Sequence, residues 1–248
     1  MKKTIFTCKN AAFLKEYNMG QNRTWAIVKK NAYKALSPII YILKKTGITP
    51  NGITIVGLVI TVFSSVVLIY GAEYGKRGDS SYIAWFGVIT LLAGVFDMLD
   101  GQLARKTNQM TKFGALFDSV IDRYSEMIMF FGIAYYLVSY HYFLSGVFAF
   151  IALIGSIMVS YVRARAEGLG VECSVGIMQR PERVLAVGIT AILYGVVSYF
   201  TGDFKVSVDW LPIPLFENIS IFTIPIFILA VLTNYTAFQR LNHCRKKM

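Results

Sequence analysis

The stretch "FDMLDGQLARKTNQMTKFGALFDSVIDRYSE", residues 96–126, decides the reading of the fold. The segment before it, "YIAWFGVITLLAGV", is apolar enough for a membrane, and so is the segment after it, "MIMFFGIAYYLV". Between them lie Asp97, Asp100, Asp118, Asp122 and Glu126. The whole chain has seven aspartates, and four of them fall in residues 97–122. An ionisable side chain inside a membrane segment costs at least about 2.5–3.5 kcal/mol. Carboxylates concentrated at such a cost mark a place where chemistry is done.

The chain of 248 residues is 55% hydrophobic and 16% charged. A soluble domain carries about 25% charged residues. Apolar runs of about 20 residues span a bilayer. Six occur, at about 52–71, 82–103, 115–138, 142–163, 182–200 and 219–239. The expected fold is therefore an all-α integral membrane protein, with six transmembrane helices around a polar cavity open to the cytoplasm. One membrane domain, residues 46–248, follows a cytoplasmic N-terminal segment, residues 1–45. Within residues 10–45, Trp25, Ile27, Leu36, Ile39, Ile40 and Leu43 are interspersed with lysines. That mixture predicts an amphipathic helix on the membrane surface.

The net charge of +11 follows the topology. Ten basic residues precede the first span, and further arginines and lysines lie between spans two and three, between four and five, and after six. The opposite side holds only Lys76, Arg77 and Lys205. This alternation obeys the positive-inside rule. It predicts a multi-pass protein of the cytoplasmic (inner) membrane with both termini in the cytoplasm, and it leaves no reason to invoke nucleic acid. The three cysteines, Cys8, Cys173 and Cys244, have no metal-binding spacing, and their odd number opposes a complete disulfide framework. The N-terminus lacks the long apolar core of a signal peptide, so none is expected.

Spacing within the window is informative. Asp97 and Asp100 are three apart and share a helix face; Asp118, Asp122 and Glu126 follow at intervals of four and form a stripe. A short connection makes the two helices antiparallel, so four carboxylates converge on one small volume. Such a cluster repels itself unless protons or cations neutralise it. Hard divalent cations take oxygen ligands, and a pair of them suits displacement at phosphorus. Gly101, Ala104 and Gly114 allow close approach of a helix or a ligand. Arg105 adds a fixed, forked donor for phosphate. The alternative for this window is an acidic pore or proton relay, which would make the chain a cation transporter.

The window reads D-x-x-D-G-x-x-A-R-x(8)-G-x-x-x-D-x-x-x-D, with Asp97, Asp100, Gly101, Ala104, Arg105, Gly114, Asp118 and Asp122 at its defined positions. It resembles the signature of the CDP-alcohol phosphotransferase (CDP-alcohol phosphatidyltransferase) family at every one of them. The resemblance, extended by the six-span pattern over roughly residues 45–240, implies transfer of a phosphatidyl group from CDP-diacylglycerol to an alcohol, with release of CMP. It implies Asp97, Asp100 and Asp118 as principal ligands of two divalent ions, Mg²⁺ or Mn²⁺. It implies Asp122 as a further ligand and the general base. Asp97, Gly101, Ala104 and Arg105 would line the nucleotide and pyrophosphate site. Asn51 and Thr54, at the start of the first span, are placed to reach the nucleotide, although capping the helix is the plainer role for Asn51. Homodimers are usual among such relatives.

A second segment, "SYVRARAEGLGVECSVGIMQRPERV", residues 160–184, falls at the same end of the membrane. Arg163, Arg165, Arg180 and Arg183 are expected to form a pocket for an acceptor phosphate, because arginine forks bind phosphate in a bidentate manner. Topology alone would also place arginines there. The segment resembles the matching region of bacterial phosphatidylinositol phosphate synthases, which implies inositol 3-phosphate as the acceptor. Glycerol 3-phosphate, or an unphosphorylated alcohol such as serine or inositol, remains the alternative. Glu126 lies outside the signature; pairing with Arg123 is as good an expectation as a catalytic role.

Overall fold

The computed structural model describes residues 36–202, 204–206 and 216–248. Its helices are α1 (Ser37–Thr46), α2 (Pro50–Tyr74), α3 (Ser81–Lys106), α4 (Lys112–Ser139), α5 (Phe143–Gly168), α6 (Arg180–Thr201) and α7 (Ser220–Lys247). Ahead of α7, β1 (Lys205–Val206) pairs antiparallel with β2 (Phe216–Glu217). Of the N-terminal surface helix expected within residues 10–45, the part before residue 36 lies outside the described residues, as does Cys8.

Helix starts follow local chemistry. Thr49 caps α2 by accepting from Gly52 N–H at 3.2 Å, and Pro50 opens the helix. A proline suits the first turn, where its missing N–H has no helical partner. The cap is thus Thr49, and Asn51 is already inside the helix. Thr111 caps α4 through Gly114 N–H at 2.9 Å. In α6, Gln179 and Glu182 form a reciprocal capping box, with Gln179 N–H donating to Glu182 Oε2 at 2.8 Å.

Helices α2, α3, α5, α6 and α7 are long and apolar enough to cross a membrane, so the chain is a multi-pass membrane protein. Helix α4, expected as the third of the six spans, is also long at 28 residues but falls outside that set. Asp118, Asp122, Arg123 and Glu126 make its first half too polar.

Packing closes a ring. Helix α2 lies against α3 and α4, α3 against α6, α6 against α7, α7 against α5, and α5 against α4. Thus α4 and α6 share no extensive packing; they stand opposite each other in the ring. The wall of the ring depends on small residues. A Cβ on Gly87 of α3 would lie 2.7 Å from the carbonyl oxygen of Gly188 on α6. Without a hydrophobic drive inside lipid, such close backbone contact is how helices associate. Polar ties supplement it: Ser65 donates to Ile128 O (2.8 Å), joining α2 to α4, and Asn234 Nδ2 to Ile151 O (3.1 Å), joining α7 to α5.

One end of the ring is filled by a large apolar core that includes Phe86, Phe130, Ile133, Phe222 and Ile226. At the other end, Ile40 of α1 is buried against Ile53, Leu99 and Leu103, which docks α1 on α2 and α3. That second end holds the C-terminus of α3 and the N-termini of α4 and α6, and there the interior is open rather than filled.

Candidate metal and phosphate site

Helix α3 delivers Asp97 and Asp100 to the open end, and α4 delivers Asp118 and Asp122. Carboxylate oxygens of Asp97, Asp100 and Asp118 all lie within 4.8 Å of one another. Asp100 is the deepest, 5% exposed, and is held on two sides. Thr54 Oγ1 of α2 donates to Asp100 Oδ2 at 2.7 Å, and Gly101 N–H donates to Asp100 Oδ1 at 2.5 Å. Thr54 therefore belongs to the site by orienting a carboxylate, whereas Asn51 is not in the cavity wall.

A cavity of about 490 Å³ opens beside these groups. Its mouth holds the four aspartates, Arg105 and Arg180; its depth is walled by Gly57, Thr61, Gly94, Met129 and Val184. Polar chemistry thus adjoins an apolar interior reaching down the bundle. A Cβ on Gly101 would meet only Arg105 Nη2, at 3.5 Å, so this face is open to a ligand. Arg105 lies at the exposed rim with its Nε donating to Gly101 O at 2.9 Å. Ala104 is half-buried one turn from Asp100 and is not in the cavity wall.

The four arginines expected to share one pocket are separated. Arg180 alone enters the carboxylate cavity, where its Nη1 lies 2.5 Å from Asp97 Oδ1 and 2.5 Å from Asp122 Oδ1. Arg163 is on the surface of α5, half-exposed, and paired with Glu167 at 2.8 Å. Arg165 lines a different groove between α5 and α7, together with Tyr235, Phe238 and Arg245. Arg183 corrects the expectation most sharply. It is fully buried, its Nε lies 2.5 Å from Glu126 Oε1, and its Nη1 donates to Met178 O at 2.9 Å. A guanidinium committed inside the protein in this way is not offered to a ligand. Glu126 accordingly pairs with Arg183 and not with Arg123, which folds back on its own helix to Ser119.

Cys173 and Cys244, far apart in sequence, are free thiols packed in one small cluster with Ala166. Burial pushes the Cys173 thiol up to about 11, which leaves it protonated and unreactive.

The donor set fits divalent metal. It is all carboxylate oxygen, three members are within bridging distance, and Mg²⁺ and Mn²⁺ prefer such hard ligands. Zinc or copper would call for His or Cys ligands, and neither is present in this group.

Comparison with known proteins identifies the family. The family model for CDP-alcohol phosphatidyltransferase matches residues 47–217. A phosphatidylinositol phosphate synthase of Mycobacteroides abscessus is 32% identical over 213 residues, covering 86% of this chain and 84% of that protein. One of Mycobacterium marinum is 34% identical over 155 residues, and there the match spans 62% of each chain, less than two thirds of the relative's length. The crystal structure of Mycobacterium tuberculosis phosphatidylinositol phosphate synthase with CDP-DAG bound superimposes with a TM-score of 0.65 at 27% identity, covering 85% of this chain and 94% of that one. The same enzyme in complex with manganese and citrate gives 0.64 at 26% identity, covering 84% and 87%. Divalent metal is thus the cofactor that both the carboxylate cluster and the family indicate. The chain belongs to the CDP-alcohol phosphatidyltransferase family and is a phospholipid-synthesising membrane transferase.

Proposed function

We propose that this protein transfers the phosphatidyl group of CDP-diacylglycerol to inositol 3-phosphate, forming phosphatidylinositol phosphate and CMP. The observation that carries the reading is the carboxylate cluster facing Arg180 at the mouth of a cavity with an apolar depth. A lipid-linked nucleotide needs both halves of that cavity. Asp97, Asp100 and Asp118 would hold two divalent ions, with Asp122 contributing to the same site. When bound, those ions neutralise charge on the pyrophosphate oxygens.

The protein's own groups have the following roles. Thr54 and Gly101 N–H hold Asp100 in its rotamer. Gly101 and Ala104 leave room for the nucleotide, and Arg105 offers its fork to the pyrophosphate. Asp97 reaches the same nucleotide end, and Asn51 stands near it. Arg180 binds the acceptor's phosphate, with Arg163 the next candidate at the same end of the bundle. Asp122 accepts the proton of the attacking inositol hydroxyl. That oxygen forms the new bond to the lipid-side phosphorus, and the bond from this phosphorus to the bridging oxygen breaks to release CMP. A carboxylate held within reach of the hydroxyl acts as general base.

In the proposed arrangement α4 also crosses the membrane, giving six spans in all, the cavity opens to the cytoplasm, both termini are cytoplasmic, and two copies associate in the inner membrane. The test is CMP release from CDP-diacylglycerol by the purified protein with Mn²⁺ or Mg²⁺, with inositol 3-phosphate, glycerol 3-phosphate, inositol and serine offered separately. Release with inositol 3-phosphate supports the reading. Release only with glycerol 3-phosphate keeps the chemistry and overturns the acceptor. Release only with an unphosphorylated alcohol removes the phosphate-binding role from Arg180.

A further inference from the structure

The proposed reaction uses Asp122 and Arg180 but not the two charged groups one helical turn below them. Asp122 and Glu126 are four apart on α4; Arg180 and Arg183 are three apart on α6. They pair across the interior as two rungs: Asp122 with Arg180, and Glu126 with Arg183, each at 2.5 Å. Helices α4 and α6 are opposite members of the ring, so these rungs join elements that backbone packing leaves apart.

The rungs differ in exposure. In the upper one the side chains are 23% and 22% exposed, in the lower one 2% and 1%. Glu126 also lines the cavity, while Arg183 stands behind it, held by Met178 O. Arg183 Nη2 is buried with no hydrogen-bond partner among the described residues. A buried ion pair of this kind contributes little to stability relative to an apolar pair of the same volume. Such a pair is therefore weak evidence for a stabilising role.

Resting on the function proposed above, we infer that Glu126 and Arg183 are positioning residues for the transfer reaction. During turnover the upper rung must open, because Arg180 turns to the acceptor phosphate and Asp122 to the acceptor hydroxyl. The lower rung stays closed. It holds α4 and α6 at fixed separation and register, so the base and the phosphate anchor keep the spacing of a hydroxyl and a phosphate on one small acceptor. The capping box of Gln179 and Glu182 fixes the first turn of α6 in the same frame. A misplacement of about 1 Å costs such a site about 100-fold in rate.

The test compares the native protein with E126L/R183M, which replaces the rung with apolar side chains, and with E126Q, which keeps the shape and an acceptor oxygen. Thermal stability in detergent, Mn²⁺ affinity by electron paramagnetic resonance, and KM for each substrate are measured. The inference expects E126L/R183M to melt within a few degrees of the native protein and to keep Mn²⁺ affinity and the KM for CDP-diacylglycerol within about twofold. It expects the KM for inositol 3-phosphate to rise, and kcat to fall, by about tenfold or more. E126Q leaves the Arg183 charge buried without its counter-charge, so it should melt below both and shift the acceptor KM in the same direction as the double variant. If the double variant does not fold, E126Q alone decides, by whether the acceptor KM moves. An unchanged acceptor KM and kcat in a folded variant overturns the inference. A native protein that releases no CMP overturns the proposed function instead, so the two failures are distinct.

Discussion

Replacing Arg180 with alanine probes the acceptor site directly. Its guanidinium is 22% exposed and sits between Asp97 and Asp122, at the boundary between the carboxylates and the cavity. A hydrogen bond to a charged group contributes about 1.5–3 kcal/mol. At about 1.4 kcal/mol per factor of ten, losing that contact to the acceptor phosphate should raise the acceptor KM by about 10- to 150-fold. The assay is the initial rate of CMP release at saturating CDP-diacylglycerol and Mn²⁺, with inositol 3-phosphate varied. Arg180→Lys keeps the charge but not the fork and should give an intermediate KM. The KM for CDP-diacylglycerol should hardly change. A lowered kcat with an unchanged acceptor KM would refute the reasoning, because Arg180 would then act on the carboxylates and not on the acceptor.

Three further outcomes are expected. Asp97→Asn, Asp100→Asn and Asp118→Asn should each abolish turnover and weaken Mn²⁺ binding, and chelation of the native protein should do the same until Mn²⁺ is restored; near-normal turnover in any purified variant would remove that residue from the metal site. Thr54→Val deletes the 2.7 Å hydrogen bond to Asp100 and should weaken Mn²⁺ affinity by about 10- to 100-fold, measured by electron paramagnetic resonance. Gly87→Val forces a side chain where a Cβ would already lie 2.7 Å from Gly188 O, so α3 and α6 must separate. Overpacking costs about 1–3 kcal/mol, read as a lowered melting temperature, and an unchanged one would argue against the close approach.

Much of the site was legible because its residues lie on two helices joined by a short connection. Spacings of three and four place Asp97 with Asp100 and Asp118 with Asp122, and an antiparallel hairpin brings the pairs together. The six apolar runs likewise appear as six helices; four keep within about three residues of the expected bounds, while α5 runs on to Gly168 and α7 to Lys247, past the expected ends at 163 and 239. What was not legible depends on the order of helices in the ring, which connection lengths do not encode. Arg163, Arg165, Arg180 and Arg183 are close in sequence, yet α5 and α6 point them in different directions, and only Arg180 enters the cavity. Glu126 was correctly placed on the carboxylate stripe, but its partner comes from the opposite side of the ring. Nothing in the local pattern of α4 names Arg183. The signal that could have suggested it is complementarity, since acids four apart on one helix match bases three apart on another. Helix α4 also shows why apolar length is an incomplete guide: its charged first half supplies part of the site, and that same half keeps it out of the set of apolar spans.

A competition between acceptors distinguishes the proposed donor and acceptor from every alternative. Purified protein in detergent with Mn²⁺ would receive CDP-diacylglycerol and equal concentrations of inositol 3-phosphate, glycerol 3-phosphate, inositol and serine, and the lipid product would be identified by mass spectrometry. Phosphatidylinositol phosphate as the dominant new lipid, formed with one CMP per molecule, is the expected result. A dominant product from any of the other three alcohols, or CDP-diacylglycerol left intact, would contradict the account.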